Sequence, residues 1–313
     1  MESNILIDLS DYLKETDIFK LILPLIDKYI RYTFNTNKEL KIAVDEWCEN
    51  KEKAIIKYGH ISNWNTQYIT TMSNLFKFKT SFNEPLYWDT KNVTDMTFMF
   101  KDAESFNQPL NFNTKNVLRM SGMFYYAKSF NQHLNFDTKN VINMSHMFCG
   151  AKSFNQPLNF NTENVTDMQG MFKNAESFNK PLNFNTENVI DMSSMFKGAV
   201  SFNQPLDFNT ENVTNMSNMF SVAKSFNKPL NFTSTKNVSD MSFMFYGAEL
   251  FNEILNFNTE NVTDMPRMFK GARSFNQPLN FNTENVIDMS CMFEGARSFN
   301  QPLNFNTENV IDM

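Results

Sequence analysis

The sequence predicts an α/β solenoid of about ten 24-residue turns, with short parallel strands and one helical or 3-10 turn per repeat, behind an α-helical N-terminal cap. Three observations lead to this fold class. A Phe-Asn pair recurs at a fixed interval, 20 of the 21 methionines fall within the repeats, and the first 60 residues have a different, helical pattern. A fixed period of this length indicates stacking, because one such unit cannot bury its apolar face alone.

The N-terminal part has apolar side chains at helical spacing. This spacing predicts helices over 11–32, 38–49 and 52–58, with Pro24 as a kink or break in the first. Gly59 is a suitable C-cap for the last. These helices end just before the first repeat.

The helix over 38–49 has an expected buried face of Leu40, Ile42, Ala43 and Trp47, with Cys48 as a further candidate. We expect the segment up to residue 60 to cover the apolar end of the first turn. The chain therefore divides into a helical cap at 1–60 and a repeat solenoid at 61–313. Residues 1–35 exceed what a cap needs, so a docking segment there is a second interpretation.

The repeats are marked by the phenylalanine of the Phe-Asn pair, which recurs every 24 residues except for one interval of 25 between Phe226 and Phe251. These residues are Phe82, Phe106, Phe130, Phe154, Phe178, Phe202, Phe226, Phe251, Phe275 and Phe299. We expect phenylalanine, leucine, valine, methionine and alanine at fixed repeat positions to point inward, each stacking on its equivalent one turn away.

Each repeat contains two kinds of pattern. Pro-Leu-Asn-Phe alternates apolar and polar residues, as a short half-buried strand does. Further on, Val93, Met96, Met99, Phe100 and Ala103 form a helical stripe. The residue after each valine is often β-branched, which favours an extended start followed by one helical or 3-10 turn.

Two asparagine columns are strict in the repeats: the residue after each phenylalanine, from Asn83 to Asn300, and the residue before each valine, from Asn92 to Asn309. A surface asparagine would vary among ten copies. We therefore expect both columns to be ladders that bond the backbone at corners. For Asn92 the helical interpretation predicts an N-cap role, with Asp95 three residues on.

Composition excludes several classes of function. The net charge is −6 with both signs interspersed, so no basic stripe supports nucleic-acid binding. Cys48, Cys149 and Cys291 lie far apart, which fits neither a disulfide framework nor a metal site and favours a reducing compartment. Charged residues interrupt the best apolar stretch near the start, so we expect no signal peptide and no membrane span.

A family resemblance covers about residues 38–313. The motif Asn-Val-Thr-Asp-Met-Ser-x-Met-Phe-x-x-Ala-x-Ser-Phe-Asn-Gln-Pro-Leu, with the lead-in segments 43–48 and 58–64, resembles the BspA-like leucine-rich-repeat surface-protein family. Its Met-Phe-rich branch is known from mycoplasma-type lipoproteins, protists, algae and giant viruses. The resemblance implies a non-enzymatic, right-handed, leucine-rich-repeat-like solenoid used for adhesion or protein contacts. Without an export signal, a cytoplasmic setting in a host cell, or a virion if the protein is viral, fits better than the cell surface.

No catalytic group is predicted. His60, His133 and His146 are the three histidines, and none is placed like a general base. An aspartate column that includes Asp95 suggests cation binding, but Arg119 and other residues interrupt it, and charge at a helix start is the simpler use. A threonine column from 66 to 307 resembles an ice-binding row only weakly, because its neighbours are asparagine and charged residues. We expect no cofactor and no metal.

The variable repeat positions are the candidates for partner binding. They are the residue between the two methionines and the residue after Met-Phe, and their aromatic and basic members are of types enriched in binding hot spots. The candidate exposed anchors are Phe98, Tyr125, Phe243, Tyr246 and Arg267, and His146 is a further candidate partner-binding residue. The alternative is unselected variation on a solvated face.

Two regions depart from the repeat. An extra residue at 233–235 and the substitutions Leu250, Ile254 and Pro266 predict a local bulge between 233 and 266. The sequence stops in mid-repeat at Met313, so the last turn frays, associates end to end with another copy, or continues in a longer array.

The leading functional hypothesis is an interaction scaffold, a stiff rod whose variable columns bind an unknown protein partner. The alternative is a structural, surface-coat or adhesion element with no specific intracellular partner. An enzymatic function would need a site within the first 60 residues, which are too few to supply one.

Overall fold

The computed structural model describes residues 31–313, beginning with two helices. Helix α1 spans Asn37–Glu49 and helix α2 spans Lys51–Tyr58. Thr36 caps α1 in a capping box with Glu39, and Gly59 ends α2 with φ 72°. Both helices lie within one residue of the predicted bounds. The helix expected over 11–32, and almost all of the 1–35 docking segment, fall outside the described residues.

The buried face of α1 consists of Leu40, Ala43, Val44 and Trp47. The sequence interpretation was wrong about Ile42, which is 51% exposed, and about Cys48, which is also exposed. Residues at i, i+3, i+4 and i+7 share one face of a helix, and Ile42 lies off that series.

An aromatic cluster joins the helices to the first repeat. Phe34 is fully buried, with its ring centroid 5.0 Å from Trp64, and Trp47 and Tyr58 meet the same indole at 6.0 and 5.8 Å. Thr33 forms a parallel bridge with Asn65, so the segment just before α1 already lies along the solenoid. The apolar end of the first turn is therefore covered by α1, α2 and this segment.

The solenoid consists of successive turns stacked in parallel, which we number from 1 to 11. Each turn is identified by one inward-facing aliphatic residue, buried in all turns but the last: Ile69, Val93, Val117, Val141, Val165, Val189, Val213, Val238, Val262, Val286 and the half-buried Val310. Neighbouring turns meet through single parallel bridges, such as Asp95 with Arg119 and Leu86 with Leu110. The expected short strands are thus reduced to isolated bridges in the described part of the chain.

Local turns explain why the bridges do not lengthen into strands. Val93 donates its N–H to the carbonyl of Thr90, three residues back in its own turn, at 3.0 Å. Thr94 donates to Thr70 of the preceding turn, whereas Met96 donates to Arg119 of the following turn. A strand needs several extended residues in a row, and here the local turn closed by Val93 and the β-turn that begins at Met96 bound the extended segment on both sides.

The Met-Phe segment is a chain of β-turns rather than the predicted helical or 3-10 turn. Met99 and Ala103 donate to carbonyls three residues back, at 3.2 and 3.1 Å. Alternating with these local bonds, Phe98, Phe100 and Asp102 donate to the next turn, at 2.9, 2.9 and 2.7 Å. This alternation depends on left-handed backbone at Phe98 and Asp102, where φ is 53° and 55°. Such residues suit the third position of a type II turn and end a helix.

The hydrophobic core is one continuous cluster, and the predicted columns stack within it. Phe100, Phe124 and Phe148 lie with ring centroids 5.7 and 5.6 Å apart and nearly parallel planes. The phenylalanines of the Phe-Asn pairs stack beside them at about 6 Å, as Phe106 does on Phe130. Rings at this spacing contribute beyond the area they bury.

Both asparagine columns are ladders, as predicted. Asn179 Oδ1 accepts the backbone N–H of Asn203 at 2.9 Å, and this bond repeats along the rod. Asn188 Nδ2 donates to the carbonyl of Glu163 at 2.8 Å, and Asn92 bonds Gln67 in the same way instead of capping a helix. The amides tie each turn to the one before or after it.

The threonine column is a third ladder, because its side chains are buried. Thr114 Oγ1 donates to the carbonyl of Asp137 in the next turn at 2.9 Å. The members from Thr66 to Thr283 are buried at every turn, which excludes an ice-binding row on this column. Asp95 caps its own turn by accepting the N–H of Thr97 at 2.8 Å.

The inserted residue produces a bulge confined to a few positions. Leu230 and Phe232 are half-buried, whereas their equivalents Leu206 and Phe208 are fully buried. The aromatic columns continue across the insertion, since Phe226 stacks on Phe251 at 5.8 Å. The predicted bulge is therefore present at 233–235, and the core passes it without a break.

The last turn differs from the others in exposure. Phe293, Phe299 and Phe305 are half-buried, and Leu303 and Met313 are exposed. All of these except Phe299 border a cavity of about 530 Å³. End-to-end association at this surface stays a prediction.

Candidate interaction surface

Two columns of the Met-Phe segment have left-handed backbone. The first left-handed column is the residue between the two methionines: Asn74, Phe98, Gly122, His146, Gly170, Ser194, Asn218, Phe243, Arg267 and Cys291. The second left-handed column lies four residues later: Phe78, Asp102, Tyr126, Gly150, Asn174, Gly198, Val222, Gly247, Gly271 and Gly295. Seven of the eight glycines in the chain lie in these columns, because glycine adopts positive φ without steric cost.

Bulky side chains at some of these positions work against the backbone. Phe78, Phe98, Tyr126 and Phe243 have φ between 52° and 63°. Left-handed backbone costs an ordinary L-residue about 1–2 kcal/mol. The turn itself is built equally well by glycine or asparagine, which occupy equivalent positions elsewhere. The fold therefore gives no reason for these aromatic residues.

The N-terminal aromatic cluster consists of Phe78, Phe98, Tyr125, Tyr126 and His146 in turns 1 to 4. Tyr125 lies at its centre, with ring centroids 6.1 Å from Phe98, 4.9 Å from Tyr126 and 6.2 Å from His146. The contacts are edge-to-face, a favourable geometry for aromatic pairs. The cluster forms a side-chain surface that crosses four turns.

Lys101 lies within this cluster. Its Nζ is 4.7 Å from the ring centroid of Tyr125, 5.2 Å from Phe98 and 5.9 Å from Phe78. A cation over aromatic faces is attracted by their quadrupoles, by about 0.5–1 kcal/mol at exposed sites. The ammonium group is held among three rings, and Lys77 adds a second cation 5.0 Å from Phe78.

Three members of the cluster lie over glycines of the next turn. A Cβ built on Gly122 would come within 2.1 Å of the Phe98 ring. The same construction on Gly150 meets Tyr126 at 2.6 Å, and on Gly170 meets His146 at 2.4 Å. Each bulky residue is thus followed, one turn later, by the only residue type that leaves room for it.

The C-terminal aromatic cluster is smaller. Phe243 and Tyr246 lie 5.9 Å apart, and the Arg267 guanidinium is 5.3 Å from the Phe243 ring. Leu250 and Ile254, two of the substitutions expected near the bulge, are exposed in the same turn. Residues between the clusters are small or polar, including Gly170, Ser194 and Asn218.

The six predicted binding residues fall into these two clusters, three in each. All except His146 were expected to be exposed, and this is wrong for four of those five, since only Arg267 is exposed and the other four, like His146, are half-buried. The side chains of Phe98 and His146 extend over the next turn and lose accessible surface there. Sequence analysis missed Phe78 and Tyr126. The signal that could have revealed the second left-handed column in the sequence is its glycine content, because glycine occupies half of its positions.

The ionisable groups around the N-terminal cluster do not resemble an activated site. Burial raises the pKa of the Cys149 thiol to about 11, and it raises the pKa of Tyr125, its hydrogen-bonding neighbour. Both groups are neutral at physiological pH, so Cys149 is an unreactive thiol. Burial lowers the pKa of Lys197, helped by the nearby Lys173.

Other features of chemical interest are few. His146 Nε2 lies 3.2 Å from Gln169 Oε1, and its Nδ1 has no hydrogen-bond partner above Gly170. Across residues 31–313, no group of three or more His, Cys, Asp or Glu side chains could hold a metal ion. Within the same range, every helix is too short or too polar to cross a membrane.

Comparison with known families finds matches along the whole repeat array. Segments 30–159, 133–232, 158–255 and 232–313 each match the family described as Mycoplasma protein of unknown function, DUF285. The chain belongs to the DUF285 family. Overlapping matches to one DUF285 model are what a repeat protein produces, and they agree with the mycoplasma-type part of the expected resemblance. Searches of curated proteins and of solved structures gave no match.

Proposed function

We propose that this DUF285 protein is a non-enzymatic scaffold that binds another protein through its two aromatic clusters. The observation that carries the proposal is the presence of Phe78, Phe98, Tyr126 and Phe243 at left-handed positions where the fold favours glycine. Strained residues that the fold does not need are found where function selects them. Aromatic and arginine side chains are also the types that contribute most at interfaces.

The N-terminal cluster indicates the chemistry of the partner. Lys77 and Lys101 place two ammonium groups among the rings of Phe78, Phe98 and Tyr125. Neither lysine forms an ion pair with an acidic side chain of the described chain. A partner surface that presents carboxylates beside apolar side chains would pair with both the charges and the rings. Arg267 beside Phe243 repeats the combination in the C-terminal cluster.

The finer assignments accompany this proposal. We infer a right-handed, leucine-rich-repeat-like coil of the BspA-like type and a cytoplasmic location. The single parallel bridges at each turn support a coil of leucine-rich-repeat type, since such coils stack one short extended segment per repeat. Scattered free cysteines support a reducing compartment.

The experiment compares capture of partners by the native protein and by the triple variant Phe98→Ser, Phe243→Ser, Tyr246→Ser. We expect the variant to lose the captured protein and to keep its melting temperature within a few degrees, because the three rings are half-buried and lie outside the hydrophobic core. A matched control is Tyr32→Ser, Tyr68→Ser, Tyr87→Ser, which removes three exposed rings outside the two clusters.

The outcomes separate two functions. Loss of capture in the cluster variant alone supports the scaffold. Identical capture by the native protein and both variants contradicts it and favours the structural, surface-coat or adhesion element. Turnover of any substrate by the purified chain would overturn the non-enzymatic assignment.

A further inference from the structure

One face of the solenoid carries four parallel columns, two of which change charge along the rod. The charged column contains Lys91, Lys115, Lys139, Glu163, Glu187, Glu211, Lys236, Glu260, Glu284 and Glu308. Beside it runs the exposed asparagine ladder. The aliphatic column, one residue after each valine, includes the exposed Leu118, Ile142, Ile190 and Ile287.

The fourth is the bridge column, which begins with Thr71 in turn 1 and continues with Asp95, Arg119, Asn143, Asp167, Asp191 and Asn215. In turns 2 to 4 the charged column is basic, and the bridge column contains Asp95, Arg119 and Asn143. In turns 5 to 7 the charged column is acidic, and the bridge column is acidic at Asp167 and Asp191 and neutral at Asn215. Basic and acidic halves of equal length meet between Lys139 and Glu163.

Some charges on this face already have partners in the chain: Lys91 pairs with Asp89 at 3.1 Å, Arg119 lies 4.0 Å from Asp95, and Asp167 accepts a hydrogen bond from Asn143. Lys115, Lys139, Glu163 and Glu187 form no ion pair in the described residues, unlike the salt-bridged Lys128 and Glu104 on another column. Asn164, Thr166, Asn188, Ile190, Asn212, Thr214 and Asn237 line a shallow groove of about 720 Å³ along turns 5 to 8. The larger aliphatic residues Leu118 and Ile142 stand on the basic side.

We propose that two copies of the chain associate face to face and antiparallel through this surface, about a two-fold axis between turns 4 and 5. The two-fold axis lies in the plane of the interface and is perpendicular to the rod. It therefore places each column against the same column of the second copy, with turn 4 opposite turn 5 and turn 3 opposite turn 6. Residue i then meets j, and j meets i, on both sides of the axis.

The pairing that results is complementary at every position of the six turns. In the charged column Lys139 meets Glu163, Lys115 meets Glu187, and Lys91 meets Glu211. The bridge column places Arg119 against Asp191, Asn143 against Asp167, and Asp95 against Asn215. No like charges meet.

The same two-fold axis also pairs side chains of the aliphatic column with each other. Leu118 lies opposite Ile190, and Ile142 faces Thr166 at the start of the groove. A parallel arrangement would instead set Lys115 against Arg119 and Glu187 against Asp191, which repel each other. Only the antiparallel arrangement uses the charge reversal along the rod.

The size of the surface indicates a weak and salt-sensitive dimer. Six turns at about 4.8 Å extend roughly 29 Å, and five extended residues across are about 16 Å wide. The pair would bury roughly 900 Å² in total, below the range of stable complexes. Exposed charge pairs are screened by salt, so association should weaken as ionic strength rises.

The test is sedimentation of the full chain over a range of concentrations at low and high ionic strength. We expect a monomer–dimer equilibrium that shifts to monomer in high salt. The basic-half variant Lys115→Glu, Lys139→Glu should dimerise roughly 100-fold more weakly, because four ion pairs become four repulsions. The acidic-half variant Glu163→Lys, Glu187→Lys should weaken dimerisation equally. Glu284→Lys, Glu308→Lys is the matched control, with the same charge change outside the overlap and no expected effect.

Variants that restore opposite charges across the interface make the test specific to this surface. The chain with all four substitutions at 115, 139, 163 and 187 exchanges the two halves and should dimerise like the native protein. An equimolar mixture of the basic-half and acidic-half variants should form heterodimers. A monomer at every concentration in low salt would overturn the proposal. So would a dimer that the charge reversals leave unchanged, or one that the exchanged chain fails to restore.

Discussion

Val222 shows most simply what left-handed backbone costs at a single residue. It is β-branched, half-buried and held at φ 60°, at a position where glycine is the commonest residue. Val222→Gly should raise the free energy of unfolding by about 0.5–1 kcal/mol, because removal of about 1–2 kcal/mol of strain exceeds the entropy that glycine gains on unfolding. Denaturant unfolding measures the change.

Val200 provides the control for this substitution. It is also a half-buried valine but has ordinary backbone, so Val200→Gly should lower stability by about 1 kcal/mol. Equal losses at both positions would contradict the strain at Val222. The same strain at Phe98 and Phe243, the basis of the binding proposal, would then lose its support.

The three ladders are the elements that hold one turn to the next, and their two asparagine columns differ in burial. Asn179 accepts a half-buried N–H from Asn203, whereas Asn188 donates to the carbonyl of Glu163 at the surface. Asn179→Ala should cost about 1–3 kcal/mol because it leaves a donor unpaired, and Asn188→Ala about 0.5–1.5 kcal/mol because water can replace it.

Asn159 serves as the control for the ladder variants. It is exposed on the strand-like segment and makes no hydrogen bond in the described structure. Asn159→Ala should change stability by less than about 0.5 kcal/mol. Thermal or denaturant unfolding of the three variants ranks them directly, and an equal response at all three positions would refute the ladder account.

Sequence reasoning succeeded for the elements whose cause is periodic. Identical residues at a period of 24 predicted the stacked columns of Phe100 and Phe106, and strict asparagines predicted the ladders. It failed for the Met-Phe segment, since Val93, Met96 and Phe100 match a helical stripe as well as a run of β-turns. Both conformations bury the same side chains. The sign of φ at Phe98 decides between them, and apolar spacing carries no information about it.

The candidate surface was predicted only in part for the same reason. Variability within the repeat identified Phe98, Tyr125 and Phe243, because positions that do not pack in the core differ from one repeat to the next. The positions of Phe78 and Tyr126, and the overlap of Phe98 with Gly122, depend on the direction of side chains leaving left-handed backbone. That direction required coordinates.

At the scale of the whole molecule, a rod of like turns separates two tasks. Core columns and ladders repeat without change and fix the spacing of the turns. The columns that form neither the core nor the ladders carry the aromatic clusters and the reversal of charge between Lys139 and Glu163. Equal spacing of the turns is also what would allow two copies to meet in register, and a different face remains for a protein partner.

The most direct test of this division is an experimental structure of the full chain at side-chain resolution. It should show the rings of Phe172, Phe196 and Phe220 parallel, with centroids 5.7 Å apart, and Phe98 at φ near 53° with its ring over Gly122. Phenylalanines scattered or turned to solvent would contradict the stacked core. Negative φ at Phe98, in an otherwise stacked rod, would contradict the strained aromatic surface.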